Sequence, residues 1–212
     1  SECHQPLFKL IEEIADKGKN LARDMYGLNG WAVYHNISIW REAYPSDGFV
    51  YWFFWNMSGP WLCNHIWEHY LYTKDIDFLK KYYPILKGSA TFCSEWLVEN
   101  SEGELVTPVS TSPENAYLMP DGISASVCEG STMDIAIIRS LFSNTINASK
   151  ILQTDPLFCA ELTQKVNKLK KYQIGSKGQL LEWDKEYMEN EPQHRHVSHL
   201  FGLYPGCDIT DN

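Results

Sequence analysis

Basic charge is scarce in this chain: 18 Lys and Arg stand against 27 Asp and Glu, for a net charge of −9 at pH 7. A nucleic-acid surface needs a basic face, and so does docking on anionic lipid, so neither partner is expected. No apolar run reaches the ~20 residues that cross a bilayer. The six cysteines (Cys3, Cys63, Cys93, Cys128, Cys159 and Cys207) include no CxxC pair, which removes zinc ribbons and thioredoxin-like motifs. Cys63 and Cys93 lie in apolar helical stretches and read as buried thiols. A repeat near 34 residues, the mark of TPR-like solenoids, is missing. So is an initiator Met. Ser1-Glu2-Cys3-His4 carries no signal peptide and reads as the interior of a longer chain.

What is present points to a globular body. Hydrophobic residues make up 44% and charged residues 21% of 212, enough for one domain with a sizeable core. Aromatics are plentiful, at Trp 8, Tyr 12 and Phe 9, and their faces fill cores or stack on the C–H faces of sugars. Three sequons occur, at Asn36, Asn56 and Asn147, each a glycan acceptor if the chain is secreted by a eukaryotic cell.

Apolar spacing predicts helices over about 5–25, 61–72, 76–82, 84–99, 132–152 and 157–171. Gly27 and Gly30 end the first, Asp75 caps the third, and Pro84 and Pro156 open the fourth and last. Gly130-Ser131-Thr132 caps the longest. Residues 37–60 read as an irregular aromatic loop with short helical pieces. Residues 103–107 form a short strand or extended segment, and 194–206 close the chain with a short apolar helix and a Pro-Gly turn. The result is an all-α chain whose loops carry the chemistry.

Three constellations bear on chemistry. In Ser110-Thr111-Ser112-Pro113-Glu114-Asn115 a carboxylate follows a φ-fixing proline among hydroxyls, which pin the loop by local side-chain to backbone bonds. Glu114 on a stiff loop suits a general acid; a solvated turn glutamate has the same local sequence. His65-Ile66-Trp67-Glu68-His69 has the spacing of an inverted zinc-peptidase motif, but no third ligand is evident and the helix is crowded with aromatics. The expectation is no metal. Arg195 sits inside His194-Arg195-His196-Val197-Ser198-His199, where a fixed cation opposes a metal, so donation to sugar hydroxyls is the better use. Trp52, Trp55 and Trp61 either pack the core or wall a sugar pocket.

Four motifs then occur in order. These are Gly30-Trp31 to His35-Asn36, Trp61-Leu62-Cys63 with Trp67-Glu68-His69-Tyr70, the Glu114 loop, and His194–Leu200 with Leu203-Tyr204-Pro205-Gly206. Together they resemble glycoside hydrolase family 95, the inverting α-L-fucosidases, over essentially the whole chain. The resemblance implies a portion of one (α/α)6 barrel catalytic domain, incomplete at both ends of 1–212. It implies hydrolysis of terminal α-L-fucose, α-1,2-linked, with inversion and no cofactor. It assigns Glu114 as the acid and Arg195 and His196 to fucose, with His35, Trp55 and Trp61 as further substrate contacts. The partner is a fucosylated oligosaccharide or glycan, and the compartment extracellular or periplasmic. The family's water-positioning Asn-x-Asn pair and Asp fall outside the chain, so the segment alone is expected to be inactive. Were the base inside, Asp47, Asp121 and Asp134 are the carboxylates to consider. Tyr34 stands where the family shows a second histidine, Ser38 where it shows Asp, and Trp55–Trp61 departs from its Trp-Pro-x-Gly-Gly-Ala-Trp loop. An α-L-galactosidase of the same family and a non-catalytic sugar-binding fragment are the alternatives.

Overall fold

The computed structural model describes residues 2–210. After a 3-10 turn over Glu2–His4 comes helix α1 (Gln5–Leu21), which runs into a wider turn at Ala22–Tyr26 and stops at Gly27, φ +67°. Then follow α2 (Val50–Phe53), α3 (Ser58–Thr73), α4 (Ile76–Trp96), α5 (Thr132–Leu152) and α6 (Pro156–Lys168). A last 3-10 turn covers Ser198–Gly202. The chain is helix-rich, and its strands are two residues each. Strand β1 (Val98–Glu99) pairs with β2 (Leu105–Val106), and β3 (Tyr117–Leu118) lies between β4 (Ser124–Ala125) and β5 (Met188–Glu189), all antiparallel.

Helix α5 is central. It packs against α3, α4, α6 and the Ser198–Gly202 turn, and is buried from Thr132 through Ile138 on every side. That is why its first two turns lack a polar face, while Asn147 and Lys150 further along reach solvent. Helix α1 buries one stripe, Phe8, Ile11, Ile14, Ala15, Gly18 and Leu21, at the spacing of a single helical face. Trp31 is 1% exposed and its ring lies against Gly59 and Gly88, where a Cβ would come within 2.8 Å of it. Its indole N–H donates to the Ile85 carbonyl at 2.9 Å. The Gly30-Trp31 motif is thus a packing element that joins α3 and α4.

Three expectations are revised. Pro84 does not open a helix but lies inside α4, which runs unbroken from Ile76 to Trp96. A proline in a helix interior costs about 3 kcal/mol. Here the buried face, Leu79, Tyr82, Tyr83, Leu86 and Ala90, continues through it, and its packing outweighs the lost hydrogen bond. Asp75 does cap that helix, accepting from the Phe78 N–H at 2.9 Å. The hairpin β3–β4 and its partner β5 were not predicted, because two-residue strands leave no alternation to read. The Asn56 sequon is 7% exposed and its amide donates to the Tyr26 hydroxyl at 3.0 Å, so the folded chain offers no acceptor there. Asn36 and Asn147 are exposed.

Candidate active site

A cavity of about 230 Å³ opens where loops at 35, 55, 113–114 and 196 meet the short helix α2 and the first turns of α3 and α5. Its walls are Tyr51, Trp52, Trp55, Trp61, Pro113 and Met133, and its polar groups are His35, Glu114, His196 and Ser198. Five of the six residues assigned from sequence therefore converge on one space: Glu114, His196, His35, Trp55 and Trp61. The sixth, Arg195, is not a lining residue, but its guanidinium donates to the Glu114 carboxylate from the rim, with its side chain 68% exposed. Tyr51 and Met133 are wall residues that nothing in the sequence singled out, and Pro113 and Ser198, though inside quoted motifs, were given no place in the wall. Each reaches the cavity only through the fold.

The aromatic wall is set edge to face. Trp55 and Trp61 stand 5.8 Å apart at 85°, and Trp61 meets Phe201 at 6.0 Å. Trp55 is 6% exposed, whereas Trp61, at the first turn of α3, is 36% exposed. His35 is held twice: its backbone N–H donates to the Trp55 carbonyl at 2.9 Å, and its Nδ1 contacts the Trp52 carbonyl at 2.7 Å. A carbonyl accepts only, so Nδ1 carries the proton and Nε2 is left for the cavity.

Glu114 sits at φ +57°, a left-handed backbone that costs a non-glycine residue roughly 1 kcal/mol or more. The surroundings hold it there. Its N–H donates to the Tyr51 carbonyl at 2.8 Å, and the Asn115 N–H closes a turn to the Ser112 carbonyl at 3.1 Å. The hydroxyls of Ser110 and Ser112 do not bond the local backbone, as the sequence suggested. Ser110 donates to Asp134 at 2.7 Å, and Ser112 donates to Glu182, 70 residues away. Asn115 Nδ2 bridges both Glu182 oxygens at 3.1 Å. Ser110, Thr111 and Ser112 are at most 2% exposed, so this part of the loop belongs to the core, and Pro113 and Glu114 leave it for the cavity.

A general acid needs a raised pKa, and the electrostatics at Glu114 run the other way. His196 Nε2 donates to Oε2 at 2.9 Å, and Arg195 adds a positive charge. These hold the carboxyl below its usual range, against the opposing effect of burial. As it stands Glu114 is an ionised, doubly paired carboxylate. It is also the one carboxylate among the lining residues described. Asp134, a candidate base by sequence, is 1% exposed and tied to Trp55 and Ser110, while Asp47 and Asp121 are exposed elsewhere; none of the three lines the cavity.

The histidine run divides by direction. His194 Nδ1 meets Glu191 at 3.2 Å, while His196 turns to Glu114, and the two rings lie 5.2 Å apart. In the other histidine motif, His69 is 9% exposed and packs edge-on against Phe8 and tilted against Phe78, while His65 and Glu68 are exposed. Among the described residues, no group of three or more His, Cys, Asp or Glu side chains is arranged to hold a metal ion. No helix among them is long and apolar enough to cross a membrane.

The catalytic-domain model of glycosyl hydrolase family 95 matches residues 1–212. The chain is 43% identical over 211 residues to "Alpha-L-fucosidase 2" of Arabidopsis thaliana, covering 99% of this chain and 25% of that protein. It is 29% identical over 218 residues to "Probable alpha-fucosidase A" of Aspergillus niger, covering 99% of this chain and 27% of the relative. The chain thus spans about a quarter of the length of these relatives. With the motif order, the cavity and this match in agreement, the chain belongs to glycosyl hydrolase family 95, within its catalytic domain.

Proposed function

We propose that these residues form the acid side of a glycosidase that removes terminal α-L-fucose, α-1,2-linked, from an oligosaccharide or glycan, with inversion. The observation that carries this is the convergence of Glu114, His35 and His196 on one aromatic-walled cavity in a family 95 chain. At about 230 Å³ the cavity is smaller than the ~300–1,000 Å³ of drug-sized pockets and suits one monosaccharide. Stacking walls with a few fixed donors are what a sugar ring requires, since its faces are apolar and its rim is polar.

Glu114 is the general acid. It must arrive protonated at the glycosidic oxygen, and the contacts from Arg195 and His196 oppose that. A bound sugar supplies hydroxyl acceptors for both donors. Once Arg195 and His196 donate to the sugar, the carboxyl loses its two partners and faces Trp55, Trp61 and Pro113, and its pKa rises. Arg195 is exposed on the rim and has room to make that exchange. The attacking water belongs on the opposite face of the ring, with the two functional groups ~6.5–9.5 Å apart in an inverting enzyme. We place its activating groups, and the helices that complete an (α/α)6 barrel, in chain outside residues 1–212, so the segment alone does not turn over.

The test is hydrolysis of a 2′-fucosyl oligosaccharide by the full-length gene product, followed by ¹H NMR of the released sugar. The β-anomer appearing first is the expected result. The α-anomer first rejects inversion, and no release, or faster release of an α-L-galactoside, rejects the fucosidase reading.

A further inference from the structure

Behind the cavity lies a carboxylate that a ligand in it would not touch. Asp134 sits in the first turn of α5 and is 1% exposed. Both its oxygens are engaged. Oδ1 accepts from Trp55 Nε1 at 2.8 Å, and Oδ2 accepts from Ser110 Oγ at 2.7 Å. Its own N–H donates to the capping Ser131 Oγ at 3.4 Å. The first partner is a wall of the cavity; the second begins the loop that ends in Glu114. From the other end of that loop Glu182 accepts from Ser112 and Asn115, and the Glu182 carbonyl in turn accepts from the Thr132 N–H at 3.1 Å, in the same first turn of α5. One helix end is therefore the common reference for the wall and for the acid.

A buried carboxylate is costly, and replacing such a buried polar group together with its partners by well-packed apolar side chains is often neutral or stabilising. Among the described residues Asp134 has no ion partner; neutral donors and the helix N-terminus hold its charge. Burial outweighs them and pushes its pKa up to about 6. Stability alone is thus a poor reason for an Asp at this position. Geometry is a better one, because a carboxylate accepts from two donors in fixed, divergent directions and no apolar residue does.

We infer that Asp134 is a positioning residue: it locks the Trp55 wall and the Glu114 loop to the N-terminus of α5, so that stacking face and acid keep one mutual geometry. The kinetic part of this rests on the hydrolase reading above; the structural part does not. Misplacing a catalytic group by about 1 Å costs ~10²-fold in rate.

The test is Asp134→Asn in the full-length gene product, with Ser110→Ala as the milder variant that cuts only the branch to the loop. In D134N the Trp55 indole ¹H–¹⁵N resonance, assigned with Trp55→Phe, is expected to move upfield as its carboxylate acceptor becomes an amide. In S110A that resonance stays. Both variants are expected to lower kcat on an unactivated fucoside, D134N by ~10²-fold, and to lower it less on an aryl fucoside with a good leaving group. On a Glu114→Gln background D134N is expected to lower kcat no further, because its effect passes through Glu114. An indole resonance that stays put in D134N overturns the inference whatever the enzyme hydrolyses. Equal losses on both substrates, or a full loss repeated on the E114Q background, reduce Asp134 to a core residue. If the unmodified protein hydrolyses no fucoside while the indole resonance moves as stated, the hydrolase reading fails and the Asp134 bridge stands.

Discussion

Two of the cavities among the described residues each bring at least two histidines beside a carboxylate, and they are built in opposite ways. The one at Glu114 draws its residues from five separate stretches, at 35, 51–61, 113–114, 133 and 196–198. The other, larger at about 400 Å³, is assembled mostly from neighbours on two helices: His4, Leu7 and Phe8 beside His65, Glu68, His69, Tyr72 and Thr73. In the first, imidazole and guanidinium both touch the carboxylate. In the second, His69 turns into an aromatic nest of Phe8 and Phe78 and meets His4 at 3.4 Å, while His65 and Glu68 face solvent. Helical spacing puts groups on one face but not at one point. Convergence needs segments that are each held from behind, as the Glu114 loop is by Asp134 and Glu182.

The largest expected effect tests the first cavity directly. Glu114→Gln in the full-length gene product is expected to cut hydrolysis of an unactivated fucoside by on the order of 10²–10⁴, the usual worth of acid catalysis. Fucosides with good leaving groups need less protonation and lose less. Equal losses on both would remove Glu114 from the acid role.

Arg195→Ala comes next. A charged hydrogen bond to a sugar is worth about 1.5–3 kcal/mol, so KM or inhibitor Kd is expected to rise ~10–150-fold with the fold intact. The same change removes a positive charge that, after the His196 bond, holds the Glu114 carboxyl down. The carboxyl pKa then rises, and the alkaline limb of kcat/KM, where the acid is lost, is expected to move to higher pH. A normal fucose affinity with an unmoved limb would return Arg195 to the surface.

A smaller effect separates the second cavity. Burial, first of all, lowers the pKa of His69, with His4 adding to it and Asp75 opposing. Unfolded, the imidazole binds a proton below pH ~6.5; folded, it resists. Stability therefore falls as pH drops through 6.5 toward the lowered folded pKa. His69→Phe is expected to lose less stability than the native chain between pH 7.5 and 5, measured by denaturant melts. An identical pH dependence in the two proteins would mean His69 titrates normally. The smallest effect is His65→Ala, expected to leave fucoside turnover within twofold. A large loss, or stoichiometric zinc that disappears with this substitution, would make the second cavity the functional one.

Much of this protein was legible before folding. Helix α5 announces itself by its Ser131 cap and apolar run, α6 by Pro156, and Glu114 by a stiffened loop between hydroxyls and an amide. These are local signals, fixed within a turn or two of chain by capping chemistry and periodicity. The continuity of α4 through Pro84 was not legible, because packing along a buried face outweighs a local penalty. Nor was the ionisation of Glu114: pKa depends on which charges arrive in space, and Arg195 and His196 lie 81 and 82 residues further along. Tertiary structure alone decided that Ser110 and Ser112 bond to distant carboxylates instead of their own backbone. It likewise decided that of two histidine motifs, one meets a carboxylate and the other fills a core. Residue types and short spacings determine which chemistry a segment is able to perform. Where those groups meet is set by the packing of helices far apart in the chain, and that information no single stretch contains.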